Sequence, residues 1–274
     1  MMINKFLATA CLWLFSTLAI AAPSAELWDF WLKHDQSSTA TIDHSAWDQY
    51  LQRYVKRSSD GINLINYANV SSADRTELKA YLQRVAAINI HQYNRAEQQA
   101  YWINLYNALT VDVILDHYPV KSIRDIDISP GFFSDGPWKK QLLAVNGKQV
   151  SLDDIEHRIL RPIWKDPRIH YAVNCASIGC PNLQPQAFTA DNSEQLLNQG
   201  AKDYINHPRG ARFEGNSLHL SSIYKWFKED FGNNESELIE HLKQYADADL
   251  KEKLKQATEV SDYHYDWKLN EIGR

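Results

Sequence analysis

The sequence predicts an α+β fold, a helix-rich single domain around a small, mainly antiparallel sheet. Three observations predict it. Helical stripes come first, a long segment apolar on nearly every face follows, and short strand-like runs with hairpin turns then interleave with further helices. The 274 residues are 44% hydrophobic and 23% charged, ordinary globular values, and no repeat or Pro/Ser-rich linker divides them. A chain of this length can bury a core without disulfides or metal.

Residues 1–22 (MMINKFLATACLWLFSTLAIAA) read as a secretory signal peptide. One cation, Lys5, precedes an apolar run that ends in the small-x-small triplet Ala19-Ile20-Ala21, with Pro23 close behind. The run approaches the length of a membrane anchor, but it ends in small residues without a cationic stop. The expected mature chain, 23–274, is a single globular domain, periplasmic or secreted from a bacterium, with no membrane span after signal cleavage. Of three cysteines only Cys175 and Cys180 survive, in an oxidising compartment.

The first helix is marked by Trp47, Tyr50, Leu51 and Tyr54, and the second by Leu78, Leu82, Val85 and Ala86. The strongest helix spans 94–117. Asn94 and Glu97 form a capping box at its start and Pro119 stops it. Its middle, AYWINLYNALTVDVIL, should be buried on all sides, with Asn104 and Asn107 bonded to neighbouring backbone. Residues 142–150 read as a hairpin turning at Asn146-Gly147. Ser151 caps the helix SLDDIEHRIL, whose first turn holds Asp153 and Asp154. Residues 169–174 (IHYAVN) read as a short buried strand ending at Cys175. Asp191 and Glu194 form a second capping box for a helix reaching about residue 205. A hairpin turning at Gly215-Asn216, a helix carrying Trp226 and Phe227, and polar helices over 235–256 complete the chain.

Lys and Arg number 29 against 34 Asp and Glu, a net charge of −5, and no dense basic run exists. That argues against nucleic acid as a partner. Nine Trp and fourteen Tyr are more than a minimal core requires. They are read first as core, and second as the lining of a groove that stacks sugars.

Four passages place polar groups in apolar surroundings: YWINLYNA (101–108), DDIEHRILR (153–161), RIHYAVN (168–174) and CASIGCP (175–181). The WINLYNAL helix, the IEH..LR helix and the H-Y-A-x-N-C…C-P-x-L segment resemble domain-of-unknown-function family 547, over roughly 94–205. The resemblance implies that Asn107, Glu156, His157, Arg161, Arg168, Cys175 and Pro181 fall on signature positions. It implies no settled activity.

The residues themselves suggest one. Cys175 leaves a buried segment at a loop of small residues, as a nucleophile would. In an extended strand His170 lies about 16 Å from it, so His157 is the expected base, with Glu156, Asn107 or Asn104 orienting its ring. Backbone amides near Ser177 are the expected oxyanion donors, and Arg161, Arg168, His170 and Ser177 are expected to line the binding site. This gives a cysteine-dependent hydrolase or acyl-transferase on amide or ester bonds of an envelope substrate, with no cofactor. A helix packed on a small sheet beside a Cys–His pair is similar to the papain and transglutaminase superfamily, although the buried helix here offers Trp102 and Asn104 and no cysteine.

The alternative is a non-catalytic envelope module binding peptide or glycan, its Glu-His-Arg-Cys cluster structural. Glu156 then pairs with Arg161 or Arg168. Three readings of the cysteines stand open: a Cys175–Cys180 disulfide, a free nucleophile, or two buried thiols. The spacing of Cys175, Cys180, His157 and His170 fits no standard zinc finger, so no metal is expected.

Overall fold

The computed structural model describes residues 23–131 and 135–273. The expected signal peptide lies outside them. Helix α1 (Ser45–Tyr54) buries Trp47, Tyr50, Leu51 and Tyr54 along one stripe and runs directly into β1 (Val55–Arg57), which pairs antiparallel with β2 (Asn63–Ile65). Helix α2 (Ser72–Ala86) starts at Ser71, whose side chain accepts the Asp74 N–H, and buries Leu78, Tyr81, Leu82 and Val85.

Helix α3 (Arg95–His117) packs against α2 on one side. Every residue from Ala100 to Val111 is buried, so the all-round apolar pattern has its expected consequence. Asn94 accepts the Glu97 N–H at 3.0 Å. Glu97 does not complete a capping box with Asn94; its carboxylate accepts the Ile42 N–H at 3.1 Å and ties down the preceding chain.

The hairpin of β3 (Leu143–Val145) and β4 (Lys148–Val150) turns at Asn146 and Gly147, with φ of 46° and 74°. Two consecutive left-handed residues are what a type I′ turn needs. Ser151 accepts the Asp154 N–H at 3.1 Å and opens the next helix. That helix is π over Asp154–Leu160 before continuing as α4 (Arg161–Trp164). The wider turn is common at functional sites. It carries Glu156 and His157.

Residues 169–174 are not a strand. Pro167–Tyr171 form a 3₁₀-helix, followed by an irregular link to Cys175. Asp166 accepts the Arg168 N–H at 2.9 Å and Pro167 presets the first φ, so local chemistry turns this apolar run inward. The extended-strand spacing of His170 and Cys175 lapses with it. Helix α5 (Ser193–Ile205) is started by Thr189 and Asn192, which exchange side-chain and backbone hydrogen bonds of 2.7 and 3.2 Å, and not by an Asp191–Glu194 box.

Strands β5 (Ala211–Glu214) and β6 (Ser217–Ser221) form the second hairpin. Helices α6 (Ile223–Trp226), α7 (Lys228–Phe231), α8 (Glu235–Tyr245) and α9 (Ala248–Leu254) follow, and β7 (Asp262–His264) returns parallel to β6. The fold is α+β, and among the described residues three small sheets form, antiparallel except for this last pair. One apolar cluster surrounds α3 and a second gathers Tyr204, Leu220, Tyr224 and Leu242. Among the described residues no helix is long and apolar enough to cross a membrane.

Candidate functional site

A cavity of about 460 Å³ opens where side chains attached to both apolar clusters meet. One wall is aromatic. Trp138 meets Trp267 at 5.8 Å between ring centroids, Trp267 meets Trp226 at 5.5 Å, and Tyr265 lies 4.7–4.8 Å from both Trp267 and Trp226. The Arg124 guanidinium sits 5.3 Å over Trp267 while its Nε donates to Asp135 at 2.6 Å.

The floor comes from the π-helix and the 3₁₀-helix: Asp153, Glu156, His157 and His170. Arg161 lies behind it, buried. Its guanidinium donates to Asp230 at 2.5 Å, Glu229 at 2.9 Å, the Pro23 carbonyl at 2.7 Å and Nδ1 of His157 at 3.0 Å. A guanidinium has no lone pair to offer, so His157 must accept at Nδ1 and carry its proton on Nε2. That N–H faces Asp153, whose Oδ1 is 3.8 Å away. Burial lowers the His157 pKa to about 4, helped by Arg161 against the pull of Glu156, so the ring is neutral at pH 7.

His170 is shifted in the opposite direction. Burial opposes its charge, but Nε2 lies 2.6 Å from Asp230 and Nδ1 3.7 Å from Glu156, and the two carboxylates raise its pKa. Phe227 stacks on its ring at 4.3 Å.

The carboxyls diverge likewise. Burial, reinforced by the charge of Glu156, raises Asp153 to about 6. Burial would also raise Glu156, yet His157 when charged, His170 and Arg161 hold it at about 2. Asp230 is held at about 2 in the same way, burial being outweighed by His170 and Arg161. The floor thus offers one carboxyl that changes protonation near neutrality beside one that stays ionised.

Cys175 and Cys180 are joined by a disulfide on the cavity wall. In this state Cys175 has no thiol to ionise. The amides around Ser177 are engaged as well: Ala176 N–H donates to Asn174 Oδ1 at 2.9 Å, and Ile178 and Gly179 N–H donate at 2.8 Å to the Lys268 and Asp266 carbonyls. The C-terminal tail clamps the loop from below. Gly179 is required there, because a Cβ would stand 2.9 Å from both Asp266 N and the Tyr265 ring. Ser177 Oγ donates to the Tyr265 hydroxyl at 3.0 Å.

Three expected site residues are elsewhere, and Ser177, 1% exposed, does not line the cavity. Asn107 touches neither histidine; its amide donates to the Ala172 carbonyl at 2.9 Å and accepts the Asn174 N–H at 2.8 Å, fixing the link into Cys175. Arg168 pairs with Asp166, Glu194 and Asn198 and does not reach Glu156. Asn104 binds the backbone of Phe188 at both ends. Conversely, Asp230, Tyr265 and the three cavity tryptophans enter the site without a motif to announce them. Asp153 was legible only as a first-turn acid. Among the described residues no group of three or more His, Cys, Asp or Glu is arranged to hold a metal.

Residues 90–205 match the model of a family described as "Protein of unknown function, DUF547". This stretch is similar to that family, and the match gives no activity. No curated protein and no solved structure matches the chain. The matched stretch supplies the floor, the disulfide and Trp138, whereas Trp226, Phe227, Asp230, Tyr265 and Trp267 come from the chain beyond it.

Proposed function

We propose that the chain is an exported envelope module that binds an uncharged glycan in this cavity. The observation that carries the reading is the pairing of an aromatic wall with a polar floor of hydrogen-bonding groups. Indole and phenol faces cover the apolar C–H faces of a sugar ring. Asp153, Glu156 and the Nε2–H of neutral His157 supply acceptors and a donor for its hydroxyls. A cavity of about 460 Å³ is in the range of small-ligand clefts. The leader-like residues 1–22 support export. The disulfide on Cys175 and the engaged amides around Ser177 weigh against thiolate attack on a carbonyl.

Titration of the oxidised protein with neutral oligosaccharides tests this, with tryptophan fluorescence and calorimetry as readouts. Cellobiose, maltotriose and N,N′-diacetylchitobiose are suitable first probes, with an amide-linked peptide as the competing class. Saturable binding of a glycan, with a fluorescence change lost in Trp226→Ala, is the expected result. Binding of the peptide alone, or of neither class, would overturn it.

A further inference from the structure

We propose that Cys175–Cys180 is an exchange-active couple that a dithiol opens by attack on Cys175, with Cys180 as the leaving sulfur. Exchange here is independent of which ligand fills the cavity.

The two sulfurs are not equivalent. Both border the cavity, but Cys175 is partly exposed whereas Cys180 is 4% exposed. An incoming thiolate therefore meets Cys175 more readily than Cys180. A backbone donor singles out the shielded sulfur as the one to leave. Cys180 Sγ accepts the Cys175 backbone N–H at 2.9 Å and the Tyr265 O–H at 3.2 Å. Because Ser177 Oγ donates to the Tyr265 oxygen, the tyrosine proton is free to point at sulfur; the hydroxyl stands 3.1 Å from Cys175 Sγ and 3.2 Å from Cys180 Sγ, so it serves whichever sulfur takes the charge. Both donors bind a thiolate more strongly than a neutral disulfide sulfur, and a stabilised leaving thiolate speeds exchange.

The loop does not depend on the bond. The tail holds Ile178 and Gly179 at 2.8 Å, Asn270 N–H reaches the Ala176 carbonyl at 3.1 Å, and Asn174 Nδ2 reaches the Pro181 carbonyl at 2.7 Å. A crosslink between residues five apart adds little further order, since short loops are the least costly to close. Within it Ala176 is left-handed at φ 58°, a conformation a non-glycine residue keeps only where surrounding bonds impose it. Such residues concentrate at working sites.

The chemistry balances with a dithiol as reductant. Its thiolate attacks Cys175 Sγ, a mixed disulfide forms, and the electrons of the Cys175–Cys180 bond leave on Cys180. The second thiol, once deprotonated, attacks the reductant's own sulfur in the mixed disulfide, releasing Cys175 as thiolate and the reductant as a disulfide. Two electrons pass to the protein, and both thiolates take up protons according to pH.

The test uses the oxidised full chain without denaturant. Dithiothreitol is added at pH 7, samples are alkylated with iodoacetamide at intervals, and peptides are read by mass spectrometry. Native reduction within tenfold of the rate for the same protein unfolded in guanidinium chloride is expected. A parallel reaction with glutathione, quenched in acid, should leave the mixed disulfide on Cys175. Tyr265→Phe should slow native reduction at least threefold. Resistance to reduction until unfolding, a glutathione adduct on Cys180, or an unchanged rate in Tyr265→Phe would each overturn the proposal.

Discussion

Arg161 donates from Nη1 to Nδ1 of His157 at 3.0 Å, and that single contact decides which imidazole nitrogen faces the cavity with a proton. The arginine is itself held by Asp230 and Glu229, so the tautomer of a floor residue is set by charges outside the stretch that matches DUF547.

Arg161→Met should therefore do two things. It removes the cation from a buried network and leaves Asp230 to His170 alone, which should cost about 3–5 kcal/mol of stability. It also frees the His157 tautomer. Nitrogen-15 spectra should show an unprotonated Nδ1 and a protonated Nε2 in the wild type, and a mixture in the variant.

The raised Asp153 pKa makes a pH-dependent prediction. Its value is about 6 in the fold against 3.8 in an unstructured chain, so between these values the folded state binds more protons and stability falls as pH rises. Asp153→Asn removes this. Chemical denaturation at pH 4.5 and 7.5 should show the variant gaining about 2 kcal/mol relative to wild type at the higher pH. Glu156 and Asp230 act oppositely: their lowered pKa values contribute stability present above pH 4–5 and lost as pH falls toward 2.

How much of this the sequence disclosed depends on how local the cause was. Helix α3 was legible because one apolar run is buried on every side, and the Asn146-Gly147 turn because two left-handed residues need that pair. IHYAVN misled because a short apolar run fits a strand or a buried turn equally well, and Asp166-Pro167 decided for the turn. The disulfide was one of three open readings of the cysteines. Asp230 and Tyr265 were invisible, since their roles come from contacts 60 to 90 residues distant in the chain. Asn107 bonds backbone, as a buried asparagine in that helix was expected to, and the alternative in which it orients His157 falls.

Asn107→Ala follows from that. It strands the Ala172 carbonyl and the Asn174 N–H in the core, and should cost about 2–4 kcal/mol in thermal or chemical unfolding. The disulfide loop should loosen in hydrogen exchange while α3 keeps its protection.

The central claim is that the aromatic wall recognises the ligand. Calorimetric titration of wild type and Trp267→Ala with whichever neutral oligosaccharide binds tests it most directly. Removing an indole at the centre of a binding surface should cost at least about 1.4 kcal/mol, a tenfold weaker Kd, with the fold intact by circular dichroism. An unchanged Kd would place the glycan elsewhere and contradict the account.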